Sequence, residues 1–271
     1  MNKAAVLGSP VRHSLSPRMH TAGYAALGLT GWSFTAHEVT QDDLAAFVAG
    51  LDENWRGLSL TMPLKEVAFE EASTVSDTAR QAAAINTLVR RSDGSWAGEN
   101  TDVAGIVRAL TGVVHDGTAT ILGSGATARS SVVALGLLGV QSVHVAARRQ
   151  EAREDLLAWA GDLPGDLSIT TSDLTSWTST PTRLVVSALA PSGGDAAAEQ
   201  LRAAASVDGW AGGTLFDVVY ANWPTPLARA AQQAGMGTIS GVEMLIGQAL
   251  GQFELFTGQP APVAAMRAAV T

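Results

Sequence analysis

The sequence predicts an α/β protein of two domains, each built on a parallel or mostly parallel sheet. Three observations carry this. The chain has 271 residues, more than the usual size of a single hydrophobic core. Short apolar runs alternate with helical stretches, the order that gives neighbouring parallel strands with crossover helices. That alternation begins at the start of the chain and begins afresh near Ala119. With 46% hydrophobic and 15% charged residues, the composition suits a compact, well-buried chain.

In the first set, strands are expected at Ala4–Leu7, Trp32–His37, Gly57–Leu60 and Thr87–Arg90, with helices at Pro17–Leu27, Gln41–Leu51 and Ala79–Ala84. In the second, strands are expected at Ala119–Leu122, Ser142–Ala147, Ser168–Thr171, Leu184–Ala188, Thr214–Val218 and Gly237–Ile239. The intervening helices are Ala126–Leu138, Glu151–Ala160, Ala196–Ala205 and Leu227–Ala234. Six strands with crossover helices is the count of a Rossmann-like, doubly wound dinucleotide-binding sheet. A long helix follows from Gly241 to Phe256, with Val242, Leu245, Ile246, Ala249 and Phe253 at helical spacing. The alanine-rich stretch after Pro262 forms a further helix. The expected domains are residues 1–102 completed by helices from 241–271, and residues 103–240 between them.

Charge and residue usage exclude several classes. A formal net charge of −8 leaves no general basic field for nucleic acid. With no cysteine, disulfides, thiolate metal sites and cysteine nucleophiles are all absent. The stretch before Gly8 holds too few apolar residues for a secretory core of roughly 7–15, and nothing approaches the roughly 18 of a membrane helix. A cytoplasmic location without membrane partners is expected.

The run Ala119–Leu122 leads into Gly123-Ser124-Gly125-Ala126-Thr127-Ala128. A glycine loop between a strand and a helix is the context in which a dinucleotide pyrophosphate meets a helix N-terminus. Gly123 permits the turn, Gly125 lets backbone N–H groups approach the phosphates, and Ala128 takes the packing position. The competing reading is a glycine-rich turn that binds nothing. The next strand ends in Arg148-Arg149, where an NAD site usually has Asp or Glu, and no carboxylate appears until Glu151. Two guanidiniums favour a 2′-phosphate, hence NADP; the bland alternative is a solvated helix start.

Ser14-Leu15-Ser16-Pro17 reads as a helix start, with Ser16 just before a proline at the first helical position. Two hydroxyls beside exposed helix-terminal N–H groups also suit a carboxylate. From local chemistry alone, cap and pocket are equally good readings.

Seven segments in order now carry a resemblance. They are Ser14-Leu15-Ser16-Pro17, Leu60–Lys65, Ile85–Leu88, Gly98–Asp102, the glycine loop, Asp217–Tyr220 with Pro224–Leu227, and Gly241–Gln248. Each is weak alone; together they resemble the shikimate dehydrogenase family along essentially the whole chain. The resemblance implies that Lys65 is the catalytic lysine and Asp102 its partner, both also touching substrate. It implies that Ser14 and Ser16 hold the substrate carboxylate, and that Thr61, Asn86, Tyr220 and Gln248 contact ring hydroxyls or the carboxylate. The cofactor set it implies is Gly123, Ser124, Gly125, Ala126, Thr127, Arg148 and Arg149, with Val218 and Gly241 by the nicotinamide and Asp77 as a further contact.

The chemistry implied is reversible reduction of 3-dehydroshikimate to shikimate by NADPH, in a cleft between the domains. An ammonium can stabilise the developing alkoxide and donate its proton. Two other readings stay open: a quinate/shikimate dehydrogenase that uses NAD, and a catalytically inactive relative that senses a metabolite. A homodimer is left open as the assembly. The sequence departs from the family at Ser59, usually Asn, at Thr21 after His20, at Ala147-Arg148-Arg149 for Asn-Arg-Thr, and at Ser187–Ala190. His13 and His20 have no ligand set around them, so no metal is expected.

Overall fold

The computed structural model describes residues 1–204 and 209–271. The chain forms two compact units, Met1–Gly105 with Leu245–Thr271, and Ile106–Met244. No helix among the described residues is long and apolar enough to cross a membrane.

The first unit begins with β1 (Asn2–Gly8), α1 (Ser16–Ala26), β2 (Trp32–Glu38), α2 (Leu44–Ala49) and β3 (Trp55–Leu60). A 3₁₀ turn at Val67–Glu71 precedes β4 (Thr74–Val75), α3 (Asp77–Gln81), β5 (Thr87–Arg90), β6 (Trp96–Glu99) and α4 (Asp102–Leu110). The strand order is β2-β1-β3-β5-β6-β4. β1 is parallel to both β2 and β3, whereas β5 runs antiparallel to β3 and β6.

Consecutive residues Ala4, Ala5, Val6 and Leu7 are all buried, as a parallel strand covered on both faces requires. On one face Leu44 and Val48 of α2 pack with Leu7, Leu58, Leu64, Ile85 and Leu88. On the other, His20 of α1 stacks on Phe34 at 4.0 Å and lies near Phe253 and Phe256.

The second unit contains β7 (Thr118–Leu122), α5 (Ala126–Leu137), β8 (Ser142–Ala146), α6 (Gln150–Ala160), β9 (Ser168–Ser172) and β10 (Leu184–Ser187). It continues with α7 (Pro191–Ala204), β11 (Thr214–Asp217), α8 (Pro226–Gln233) and β12 (Gly237–Ser240). Its order is β12-β11-β10-β7-β8-β9, with every pairing parallel. This is the doubly wound arrangement, with β7 and β10 flanking the point where the order reverses. Trp177 and Trp210 meet edge-on at 5.3 Å in its core beside Leu122, Val185, Leu201 and Leu215. The last two helices are α9 (Gly241–Thr257) and α10 (Val263–Ala268), and α10 packs on α1.

The structure corrects several expected elements. β4, β6 and α4 were not foreseen. β4 has two residues and offers no period to read. Trp96-Ala97-Gly98-Glu99 lacks an apolar run, yet Asp93-Gly94 turns the chain into a β5–β6 hairpin, with Arg91 N–H donating to Ser95 O at 2.8 Å. Gln41–Leu51 shortens to Leu44–Ala49, and Ala79–Ala84 becomes Asp77–Gln81, because Ala83 adopts φ +45°. The helix expected at Ala196–Ala205 starts earlier, at Pro191; Ala205 lies outside the described residues. Ser16 is not the cap of α1 but its first residue, and the capping position is Leu15.

His20 has a thermodynamic consequence. It is 0% exposed, and neither ring nitrogen has a hydrogen-bond partner among the described residues. Burial pushes its pKa down to about 3, against a smaller opposing pull from nearby Gln252. The unfolded chain therefore binds a proton below pH 6.5 that the folded chain refuses until about pH 3. Stability present above the unfolded value is lost as pH falls, by about 1.4 kcal/mol per unit across that window. Between pH 7 and 4 the denaturation midpoint of wild type should fall relative to that of His20→Phe. Parallel curves would show that His20 does not set this dependence.

Candidate active site

Topology gathers the first set of candidate residues. The segments after the carboxyl ends of parallel β1 and β3 carry Ser14 and, at the start of α1, Ser16, and Thr61 and Lys65, respectively. β5 is antiparallel to β3, so Asn86, just before it, lies at the same sheet edge. β6 returns antiparallel to β5 and brings Asp102 there as well. This is where ligands bind in open α/β sheets.

Lys65 Nζ donates to Asp102 Oδ2 at 2.6 Å, and the side chains are 13% and 5% exposed. Asp102 is the only hydrogen-bond partner of that ammonium among the described residues. Asp102 Oδ1 accepts from Asn86 Nδ2 at 2.8 Å, so both carboxylate oxygens are satisfied, as a buried charge needs. Asp102 also opens α4, where the helix dipole favours an anion. Asn100 caps that helix by accepting from Val103 N–H at 3.1 Å. Asn86 Oδ1 in turn accepts from Thr101 N–H and from Thr87 Oγ1, both at 2.8 Å.

Ser14 Oγ accepts from the backbone N–H of Ser16 at 3.3 Å, so the serine before α1 satisfies its first turn. Thr61 is half-buried beside the end of β1, its N–H donating to Leu7 O at 2.9 Å. Gln248 on α9 is buried and its Nε2 donates to Leu245 O at 2.8 Å. Asp77 stands apart, exposed in the first turn of α3 and outside this cluster.

The second unit holds the other set at the carboxyl edge of its parallel sheet. Gly123 leaves β7 with φ +108°, a conformation that suits glycine, and a methyl there would sit 3.0 Å from Ala188 O. Gly125 caps α5 with no side-chain hydrogen bond, and a methyl on it would meet nothing within 4 Å. Ser124, Ala126 and Thr127 are half-buried around that open N-terminus, and Ala128 is fully buried. The first turn of α5 carries no acidic residue. A glycine cradle open to an uncapped 12-residue helix fits a dinucleotide pyrophosphate.

Arg148 and Arg149 follow β8, both exposed, and neither guanidinium has a partner among the described residues. Arg153 instead takes the structural role, donating to Ala147 O at 2.7 Å and pairing with Asp173 at 3.2 Å. At the end of β11, Asp217 accepts from Thr225 Oγ1 at 2.7 Å and from Val219 N–H at 3.2 Å, fixing the segment with Val218 and Tyr220. Burial raises the Asp217 carboxyl and the Tyr220 phenol above their usual ranges. Gly241 abuts Val218, whose carbonyl any side chain at 241 would overlap.

Sequence reasoning missed Thr87, Thr101 and Gln252 as members of the buried cluster. The two threonines stand inside quoted segments beside Asn86 and Asp102, so adjacency was the available signal. Gln252 lies one helical turn beyond Gln248, and nothing in its spacing pointed to the sheet.

The chain is similar to known proteins along its length. A family model for the shikimate dehydrogenase substrate binding domain matches residues 6–88, and one for the shikimate 5′-dehydrogenase C-terminal domain matches residues 241–271. A shikimate dehydrogenase (NADP(+)) of Anaeromyxobacter sp. is 36% identical over 98% of this chain and 94% of its own length. The crystal structure of Mycobacterium tuberculosis shikimate dehydrogenase superposes with a TM-score of 0.87 at 37% identity, covering 99% of this chain and 98% of that one. A Thermus thermophilus shikimate 5-dehydrogenase in complex with NADP(H) and shikimate gives 0.83 at 30% identity, over 99% and 98%.

Proposed function

The chain belongs to the shikimate dehydrogenase family, and from that premise we infer that it catalyses the reversible, NADPH-dependent reduction of 3-dehydroshikimate to shikimate in the shikimate pathway. We assign the reaction to the cytoplasm, which a cysteine-free chain fits.

The observation that carries the residue assignment is the buried 2.6 Å contact of Lys65 with Asp102. Bound NADPH supplies the hydride that reaches the ring carbonyl carbon. Lys65 has three N–H donors; one is held by Asp102, and the others are free for the ring oxygen. As negative charge grows on that oxygen, the ammonium stabilises it and transfers a proton, giving the alcohol. In the reverse direction the same nitrogen takes the proton. Asp102 holds the ammonium in place, and Asn86 holds Asp102.

The hydroxyls of Ser14 and Ser16 take the substrate carboxylate. Thr61, Asn86, Gln248 and Tyr220 take the ring hydroxyls. Gln248 Oε1 is free to accept, because only its Nε2 is engaged among the described residues. Residues 123–127 take the pyrophosphate, Arg148 and Arg149 the 2′-phosphate, and Val218 and Gly241 border the nicotinamide. Asp77 rests on the family resemblance alone. The domain roles follow: the unit built around Lys65 handles substrate, and the doubly wound unit handles the dinucleotide.

The deciding experiment follows NADPH oxidation by 3-dehydroshikimate, repeated with NADH and, in reverse, with quinate. Fast turnover confined to NADPH and shikimate supports the inference; NAD with quinate as the better pair refutes it. Arg148→Asp is expected to raise the Kd for NADPH by about tenfold or more, the scale of one charge-assisted contact, with NADH little changed. Equal weakening of both would show that the guanidinium is not a phosphate contact.

A further inference from the structure

Gln252 is 1% exposed, and both ends of its amide are engaged. Oε1 accepts from Ser59 Oγ at 2.7 Å, while Nε2 donates to Thr87 Oγ1 at 3.0 Å and to the carbonyl of Asn86 at 3.3 Å. Because the Asn86 carbonyl can only accept, the amide has one orientation, with its N–H groups facing Thr87 and Asn86 and its Oε1 left to receive the Ser59 hydroxyl. Thr87 Oγ1, accepting from Gln252, directs its single hydrogen to Asn86 Oδ1 at 2.8 Å, nearer than Thr101 Oγ1 at 3.4 Å. Asn86 passes the polarity on, Nδ2 donating to Asp102 Oδ1 at 2.8 Å, while Asp102 Oδ2 receives Lys65 at 2.6 Å.

Each bond from Ser59 through Gln252, Thr87 and Asn86 therefore donates toward the same carboxylate. Donor chains of one polarity strengthen one another, and their cost of disruption is high where water is excluded. Removing Gln252 frees the Thr87 hydroxyl to turn to Thr101, so Asn86 Oδ1 loses a donor. The approach of α9 is close here: a methyl on Gly251 would stand 3.3 Å from Thr101 Cγ2. Ser59 stands where asparagine is usual in the resemblance. The pairing of a short hydroxyl on β3 with a long amide on α9 spans that place in this chain.

We propose that Gln252, anchored by Ser59, is a positioning residue for the reaction, holding Thr87 and Asn86 so that Asp102 presents Lys65 in a single geometry. This rests on the assignment of Lys65 as the proton-handling group, and the test separates the two. In the full chain, Gln252→Met, close in volume, should lower kcat for NADPH oxidation roughly 5–20-fold with KM for 3-dehydroshikimate changed less than about threefold. In a Lys65→Ala background the same substitution should change the residual rate less than about twofold, because the group it positions is gone. An equal loss in both backgrounds means a general packing effect and overturns the proposal, as does wild-type kcat in the single variant. If Lys65→Ala itself turns over normally, the underlying assignment fails instead. Should Gln252→Met not fold, Ser59→Ala is carried through the same cycle, with a smaller loss in the wild-type background alone; additivity there overturns the proposal too.

Discussion

Replacing Lys65 with alanine is expected to lower turnover by about 10²–10⁴, the range that a positioned acid or base contributes, with NADPH binding retained. Its ammonium contacts Asp102 and no other described partner, so the truncation removes one interaction and a flexible stem. The uncompensated carboxylate of Asp102 keeps Asn86 as a donor and gains water through the space left behind, so the thermal midpoint drops while the fold persists. Steady-state NADPH oxidation, circular dichroism and a fluorescence titration with NADPH check the three parts. Normal turnover would remove Lys65 from the chemistry; loss of NADPH binding would mean that the damage reached the other unit.

Gly241→Ala should have the second largest effect, of a different kind. A side chain at 241 runs into the carbonyl carbon and oxygen of Val218, which are backbone, so no rotamer change relieves the overlap. Either the end of β11 or the start of α9 must move, and overpacking of this sort costs roughly 1–3 kcal/mol or more. For a chain of this size the midpoint falls by about 2–4 °C per kcal/mol. Because Val218 and Gly241 are assigned to the nicotinamide, KM for NADPH should rise well above that for 3-dehydroshikimate. A variant with unchanged melting and unchanged KM for NADPH would show that this contact is slack and that its closeness has no bearing on the cofactor.

What the sequence disclosed follows the range of the forces involved. The glycine turn was legible because strand, turn and helix are contiguous from Thr118 to Leu137, and each part has its own local signal. The buried strands were legible as apolar runs. The β5–β6 hairpin was not: Gly98 and Glu99 interrupt any alternation, and the Asp93-Gly94 turn went unread. α4 was hidden because Asn100-Thr101-Asp102 looked like a motif, although asparagine two residues before an acidic first turn is also a helix start. In the site, Lys65 and Asp102 are 37 residues apart, and only the family resemblance paired them. Ser59 and Gln252 are 193 apart, and no periodicity encodes a bond across that distance; it exists because α9 returns to the first sheet.

That return also imposes an order of events during synthesis. Phe253, Phe256 and Met266 fill the apolar layer over α1, yet a ribosome releases them only after residues 106–244 have emerged. The doubly wound unit can therefore acquire its native form while its elder neighbour waits, its layer around His20 still open to water and to chaperones. Slow translation through the final helices would lengthen that exposure, so the yield of folded enzyme should depend on how quickly the last turns of α9 leave the exit tunnel.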